Sequence, residues 1–273
     1  MDLDAALSML ARDPAAPLDL AELALELARD EYPNLDVEAY LSELDGMAHE
    51  AKTYLRGDLE ARVTGLCRYL FHEMGFRGNR QEYNDPRNSY LNQVLDRRTG
   101  IPITLSAVAM AVGRRAGLEV AGVGLPGHFI AKAVAGSEEI LFDPFHGGRR
   151  LSPEQCEQLV QQVTSMAFLA TASSLQAVAL GPLVLRMLTN LKMNYLRAKD
   201  FPRAIRVIER LRQLEPDNLL QQLDLGVALV HAGKPGRAVD HLEVYLAAAP
   251  NASDTETVRD VLEQARAELA RWN

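Results

Sequence analysis

Residues 128–143 read HFIAKAVAGSEEILFD, and this segment indicates how the middle of the chain folds. Two runs rich in apolar side chains, 128–134 and 139–142, flank residues 135–138, Ala-Gly-Ser-Glu, which are typical of a tight turn between antiparallel strands. Residues 118–123, with the β-branched Val120 and Val123, predict one more strand before them. We therefore expect a short antiparallel sheet in this region.

The segment just before the sheet predicts a buried helix. Residues 103–116 read ITLSAVAMAVGRRA, which is small or apolar nearly all round. Pro102 suits the first turn because a helix leaves that N–H unpaired, and Gly117 suits the C-terminal cap. One helix packed on an antiparallel sheet gives an α+β core, which we place at residues 81–180.

Helices are expected on both sides of this core. Apolar residues at helical spacing predict helices at 18–29, 37–56 and 58–74, so that residues 1–80 form a helical N-terminal part. A shorter helix is expected at 91–98.

Residues 181–273 are expected to be helical and to repeat with a period of 34 residues. Paired helices with a small residue at their crossing and a proline after the second helix are typical of tetratricopeptide repeats. A last helix at 254–271 would cap the stack, because an open repeat end exposes apolar surface. The offset pairs Pro216 with Pro250, Leu191 with Leu225, Ala204 with Ala238, and Ile208 with Leu242.

The composition excludes several classes of protein. Hydrophobic residues are 48% and charged residues 24% of the 273, which excludes a disordered or collagen-like chain. A net charge of −8 argues against a nucleic-acid-binding protein. No apolar run is long enough to span a bilayer, the N-terminus has acids where a secretion signal needs bases, and two cysteines make no disulfide framework. We expect a cytoplasmic protein that contacts neither membrane nor nucleic acid.

Two side chains able to take part in catalysis lie at the ends of the predicted hairpin. Antiparallel pairing about Gly136 and Ser137 puts His128 opposite about Phe145, with Asp143 within a rung or two. A carboxylate beside an imidazole orients the ring and fixes its tautomer, as in a catalytic triad. The third member would be a nucleophile at the start of the buried helix, where the helix dipole favours a thiolate.

This order of elements resembles the transglutaminase-like (papain-like) core, in which a cysteine heads the helix and His and Asp lie on the following strands. With the helix aligned on its Gly117 end, the resemblance places His128 and Asp143 at the His and Asp positions, and Pro102 at the position of the nucleophilic cysteine. The two cysteines, Cys67 and Cys156, lie elsewhere in the sequence and are expected to be structural helix residues.

Four longer motifs resemble the bacterial Sir-B-type family, whose members join a transglutaminase-like domain to C-terminal tetratricopeptide repeats. The resemblance covers the chain from about residue 35 onward and implies the same architecture, but it implies no chemistry. The motifs are DPRNSYL at 85–91, RTGIPITLS at 98–106, GLPGHF at 124–129 and DPFHGG at 143–148.

The missing thiol divides the functional hypotheses. A His and an Asp without the cysteine predict a non-catalytic interaction or regulatory protein that binds a protein or peptide through its cleft or its repeats. The alternative is a hydrolase or amide-bond transferase acting on protein, with His128 as base, Asp143 as orienting group and Ser106 or water as nucleophile. A Ser106 hydroxyl within reach of His128 in an open cleft would favour the enzyme. An imidazole sealed beneath Phe129 and Phe145 would favour the interaction protein.

Further candidate ligand- or partner-binding residues surround this site. Pro102 is one, at the start of the buried helix, and His146 is another, in a loop followed by two glycines. Two histidines make an incomplete zinc set that nearby acids would have to finish, so we expect neither a metal nor another cofactor. A polar loop before the buried helix is either a ligand-binding lip or a turn whose side chains bond the backbone. Its residues are Asn84, Asp85, Arg87 and Asn88.

Overall fold

The structure, a computed structural model that describes residues 1–271, divides the chain into two compact units. The first contains Met1 and residues 17–183, and the second contains residues 2–16 together with the chain from Val184 onward. This grouping differs from the three predicted parts, because most of the predicted N-terminal part joins the core. Residues 272 and 273 of the predicted repeat region lie outside the described residues.

Aspartate caps begin several helices of the first unit. The carboxylates of Asp19, Asp36 and Asp58 each accept a hydrogen bond from a backbone N–H in the following turn. They thereby satisfy donors that a helix start leaves open. Helix α1 (Leu3–Arg12) lies in the second unit. The helices of the first unit, in chain order, are α2 (Leu20–Ala28), α3 (Val37–Ala51), α4 (Leu59–Cys67), α5 (Leu91–Arg97), α6 (Pro102–Ala116) and α7 (Pro153–Thr164).

The helix predicted at 58–74 changes its winding halfway. Helix α4 ends at Cys67, and Arg68–Glu73 continue as a π-helical turn. Tyr69, Leu70 and Phe71 are all buried in that turn. A π-helical turn is wider than an α-helical one, so the apolar periodicity of the sequence does not locate it.

Helix α6 is buried along most of its length, as its composition predicts. Pro102 opens it, and the Thr104 hydroxyl joins its first turn to the preceding loop. Thr104 Oγ1 accepts from the N–H of Ile101 at 3.1 Å and donates to the carbonyl of Asn88 at 2.8 Å. The helix ends at Gly117, which takes the left-handed conformation (φ +87°) that favours glycine.

A four-stranded antiparallel sheet packs against α6 and gives the first unit its α+β class. The strands are consecutive in the sheet, so each pairs with its neighbour in sequence. A separate two-residue parallel pair lies nearer the N-terminus. The pair is β1 (Arg77–Gly78) with β2 (Thr99–Gly100), and the sheet is β3 (Glu119–Leu125), β4 (His128–Ala135), β5 (Glu138–Asp143) and β6 (Arg149–Leu151).

The predicted hairpin is present with the expected register. Ala131 lies opposite Phe142 and Ala135 opposite Glu138, as a turn centred between Gly136 and Ser137 requires. Gly136 takes φ +60°, the left-handed conformation that a two-residue hairpin loop demands. Strand β6 is too short, at three residues, to produce a recognisable apolar alternation.

The second unit consists of paired helices with a capping helix. Of the four residue pairs that the 34-residue period relates, three are buried, namely those of Leu191, Ala204 and Ile208 with their partners. Helix α1 packs against the helix at Phe201–Leu214, a placement that the sequence did not predict. None of the described helices has the length and apolarity needed to cross a membrane. The helices are α8 (Leu180–Arg197), α9 (Phe201–Leu214), α10 (Leu219–His231), α11 (Pro235–Ala248) and α12 (Thr255–Ala270).

Candidate functional site

His128 begins β4 directly after a tight turn. Leu125 and His128 pair across that turn, which contains Pro126 and Gly127. Gly127 takes φ +68°, as the glycine of a Pro-Gly turn often does. The turn thus places the imidazole at one end of the sheet, where it is only 4% exposed.

Asp143 ends β5 and holds the turn that follows. Its Oδ1 accepts hydrogen bonds from the backbone N–H groups of Phe145, at 3.0 Å, and His146, at 3.4 Å. It therefore caps the 3-10 turn Pro144–His146. The second oxygen, Oδ2, lies 3.0 Å from His128 Nε2 and 2.6 Å from His146 Nδ1. Asp143 is fully buried, so these hydrogen bonds stabilise its carboxylate charge in place of water.

His128, Asp143 and His146 are called the His–Asp–His cluster below. The two imidazoles stack, with ring centroids 5.8 Å apart and planes inclined by 25°. Phe145 meets both rings edge-on, at 6.0 Å from His128 and 5.2 Å from His146. His146 is 28% exposed, so the cluster meets solvent at this ring.

The cluster keeps its carboxylate ionised. Burial alone would raise the pKa of Asp143. Hydrogen bonding and charge from His128, and then from His146, outweigh burial and lower that pKa below its usual value. An ionised carboxylate in this position can orient the His128 ring, which is the supporting half of a triad.

The start of α6 carries the candidate residues Pro102 and Ser106 and a second hydroxyl, that of Thr104. Pro102, at the position that the resemblance assigns to a cysteine, is buried. Ser106 is also fully buried, and its Oγ makes no hydrogen bond. The Thr104 hydroxyl is bonded to backbone atoms of the helix start and the preceding loop. The Ser106 geometry that would favour the enzyme is therefore not present.

Both thiols are buried, and both are shifted toward the protonated form. Burial raises the pKa of Cys67 to about 12. Burial, followed by the negative charges of Asp143, Glu154 and Glu157, raises the pKa of Cys156 to about 11. The thiolate is the nucleophilic form of cysteine, so a raised pKa disfavours both thiols as nucleophiles.

The predicted polar loop is largely engaged with itself. Asp85 accepts from the N–H of Arg87 and pairs with the guanidinium groups of Arg87, at 2.8 Å, and Arg97, at 3.4 Å. Asn88 is fully buried, and its Nδ2 donates to a backbone carbonyl of the loop at 2.7 Å. Asn84 and Arg87 are exposed. These contacts favour the turn over the ligand-binding lip.

A pocket that the sequence did not indicate lies beside His146. Its volume is about 760 Å³, and it is lined by α4, the π-helical turn and the loop after Asp143. No sequence pattern shows that α4 meets this loop, since the contact joins distant segments. A Cβ at Gly148 would lie 2.5 Å from Cys67 Sγ, so glycine permits this approach. The lining of this His146 pocket includes Cys67, Arg68, His72, Arg149 and Arg150.

Of the predicted site residues, the structure brings together His128, Asp143 and His146. Ser106 and Pro102 remain within the buried helix. The polar loop approaches the cluster through Tyr83, whose ring centroid lies 6.0 Å from that of Phe145.

Two family profiles match separate parts of the chain. One, described as the transglutaminase-like superfamily, matches residues 38–189. The other, described as tetratricopeptide repeat, matches residues 191–263. The first profile includes the His–Asp–His cluster, and the second begins within α8 and ends within α12.

Curated relatives are similar over most of the chain. The UPF0162 protein of Xylella fastidiosa is 34% identical over 89% of this chain and 88% of its own length. That of Vibrio cholerae is 27% identical over 89% of this chain and 90% of its own. F-box only protein 21 of Mus musculus is 33% identical, but over 44% of this chain and 21% of its own length. No solved structure matches this chain.

Proposed function

We propose, from the premise that this chain belongs to the transglutaminase-like superfamily and carries tetratricopeptide repeats, that it is a non-catalytic protein-interaction or regulatory protein. The proposal includes membership of the bacterial Sir-B-type family, on the four motifs quoted above. It also includes a cytoplasmic location, because two free, buried cysteines suit a reducing compartment.

One observation carries the proposal: among the residues that the structure describes, the candidate nucleophile on α6, Ser106, is buried and makes no hydrogen bond to His128. The reacting group of a triad must lie within hydrogen-bond reach of its base. Ser106 is buried and makes no hydrogen bond, and both thiols have raised pKa values. The His128–Asp143 pair then acts as a structural bond that ties the ends of β4 and β5 together.

The repeats and the His146 pocket are the two surfaces through which a partner would bind. Tetratricopeptide helices commonly form such a surface, and Leu220 on α10 is 59% exposed. The His146 pocket presents Arg149, which is exposed, so an acidic segment would suit it.

Affinity capture with matched variants tests the proposal. We would compare the full-length wild type with Leu220→Glu in the repeats, Arg149→Glu in the pocket and His128→Ala in the cluster. Leu169→Glu, at an exposed apolar residue of the first unit, is the control. We expect the captured partner to have an unchanged mass. The His128 variant and the control should retain it, whereas Leu220→Glu or Arg149→Glu should lose it. A partner recovered as a cleaved or newly joined product, formed only when His128 is present, would contradict a non-catalytic role.

A second candidate function is a hydrolase or amide-bond transferase with water as nucleophile. The 3.0 Å contact between His128 Nε2 and Asp143 Oδ2 favours it, since it orients a potential general base. Its test is release of product from a panel of peptide amides by the wild type, with loss of release in His128→Ala.

A further inference from the structure

We propose that His128, Asp143 and His146 bind one divalent transition-metal ion, for which Zn²⁺ is the best match. This inference goes beyond the interaction function, and it changes the expectation from sequence that no metal is bound. Two histidines alone are an incomplete set, but the fold supplies the third ligand. One ligand atom from each residue lies within 4.8 Å of the other two.

The donor set suits Zn²⁺ chemically. Two imidazole nitrogens and one carboxylate oxygen are the ligands of many zinc sites that keep a fourth position open for water or another ligand. Calcium and magnesium prefer oxygen ligands, so a site with two nitrogens selects against them.

The carboxylate is already oriented for such a role. Backbone N–H groups of Phe145 and His146 hold Asp143 Oδ1, at 3.0 and 3.4 Å. These bonds fix the plane of the carboxylate and leave Oδ2 directed at both imidazoles. Hydrogen bonds of this kind from outside the ligand set hold metal ligands in place in known sites.

The charge of the cluster also favours a cation. Asp143 is fully buried and His128 is 4% exposed, so a carboxylate charge is held away from water. Without an ion, His128 Nε2 and His146 Nδ1 must each carry a proton in order to donate a hydrogen bond to Asp143 Oδ2. With an ion, those nitrogens offer lone pairs instead, and the cation compensates the buried negative charge.

The two contacts of the carboxylate oxygen require only a small adjustment. Zinc–ligand bonds of about 2.0–2.2 Å set neighbouring ligand atoms about 3.3 Å apart in a tetrahedral site. The contacts of Oδ2 with the two nitrogens, at 2.6 and 3.0 Å, are shorter than this. They must lengthen by about 0.3–0.7 Å to reach that spacing. His146 can provide the movement because it lies on a short turn and is 28% exposed, which also gives an ion a route of entry.

Calorimetric titration of the metal-stripped full-length chain with Zn²⁺ tests this assignment. The informative variant is His146→Ala, on the partly exposed turn, and the matched control is His72→Ala. His72 lines the same pocket but is not in the cluster. We expect one Zn²⁺ per chain, with affinity reduced at least about tenfold in His146→Ala and unchanged in His72→Ala. Absence of binding, or equal affinity in wild type and His146→Ala, would overturn the proposal.

A spectroscopic measurement on the unmodified chain removes any dependence on the folding of a variant. Co²⁺ in a four- or five-coordinate site absorbs strongly in the visible region. Added Zn²⁺ should displace the bound Co²⁺ and thereby abolish that absorption. A spectrum no stronger than that of hexaaqua Co²⁺ would equally overturn the assignment.

Discussion

At the scale of the residue, two buried hydroxyls on one helix have opposite environments. Thr104 Oγ1 bonds the Asn88 carbonyl at 2.8 Å, whereas Ser106 Oγ bonds nothing. An unpaired buried polar group destabilises a fold, while a paired one supports it. This contrast bears directly on function, because the alternative, enzymatic hypothesis names Ser106 or water as the nucleophile.

We expect Ser106→Ala to leave the free energy of unfolding unchanged or to raise it by about 1 kcal/mol, since it removes an unsatisfied polar atom. The control, Thr104→Val, should lower it by about 1–3 kcal/mol because it leaves backbone groups without their partner. Urea denaturation of both variants measures this. A Ser106→Ala variant less stable than Thr104→Val would show that Ser106 has a partner after all.

The stabilising charge of Asp85 gives a pH-dependent prediction. Burial would raise the pKa of Asp85, but hydrogen bonds from Arg87 and the charges of Arg87 and Arg97 outweigh it and lower the pKa below 3.8. The ionised form therefore stabilises the fold above the unfolded-state pKa, and this stabilisation is lost as pH falls through the lower folded-state value.

We expect the stability advantage of wild type over Asp85→Asn to be constant near neutral pH and to shrink below about pH 4. Denaturation midpoints of both proteins across a pH series give the measurement. An advantage that stays the same or grows in acid would contradict the assigned ion pairs.

The sequence predicted the His128–Asp143 pair because a hairpin with a two-residue turn has one register, and register fixes which side chains meet. It did not predict how His146 joins them. That ring is placed by a turn whose course depends on left-handed conformations at Gly147 (φ +72°) and Gly148 (φ +76°). Glycine tolerates many conformations, so its presence does not specify this one.

At the scale of the element, the short strand β1 supports the turn that carries His146. A Cβ at Gly78 would lie 2.6 Å from the Phe145 ring and 2.7 Å from its backbone carbonyl oxygen. We expect Gly78→Ala to destabilise the fold by about 1–3 kcal/mol, as overpacking does in cores.

Gly46→Ala is the matched control for Gly78→Ala. A Cβ at Gly46 meets nothing within 4 Å, and the residue lies inside α3. Since alanine favours a helix interior, this variant should be as stable as wild type or more so, by up to about 1 kcal/mol. Thermal denaturation of the two variants measures this difference. Equal stability of the two variants would show that Gly78 in β1 does not pack closely against the turn.

Elements with a clear local signal were predictable, and those without one were not. The apolar composition of α6 with Pro102 and Gly117 at its ends, and the turn residues around Gly136, are local properties of the sequence. The β1–β2 pair joins residues that are distant in the sequence, such as Arg77 and Thr99. Strand β6 pairs with the preceding strand, but its three residues are too few to show a pattern. The π-helical turn after α4 departs from the α-helical period on which the prediction relied.

At the scale of the whole molecule, the first helix belongs with the last ones. Helix α1 packs on α9, and Asp4 accepts hydrogen bonds from Arg210 and Gln213 of α9. Two repeats form a short array, so an added helix increases the apolar surface that it buries. No pattern in the sequence indicates this placement, because only the fold brings residues from these distant segments together.

We expect Leu7→Ala to lower the free energy of unfolding by about 2–5 kcal/mol, since Leu7 is fully buried on α1. Met9→Ala, on the exposed side of the same helix, should change it by less than about 0.5 kcal/mol. Hydrogen exchange should quicken in α9 for the Leu7 variant and stay unchanged in β4 and β5. If hydrogen exchange in α9 is unaffected by Leu7→Ala, then α1 does not stabilise the repeats.

The proposal of a non-catalytic chain is tested most directly by intact-mass spectrometry after incubating the native protein with a fluorophosphonate and with iodoacetamide. We predict no stoichiometric adduct on the folded chain, and two iodoacetamide adducts once it is unfolded, one for each cysteine. An adduct on the native chain at Ser106, Cys67 or Cys156 that disappears in His128→Ala would show a working nucleophile and contradict the proposal.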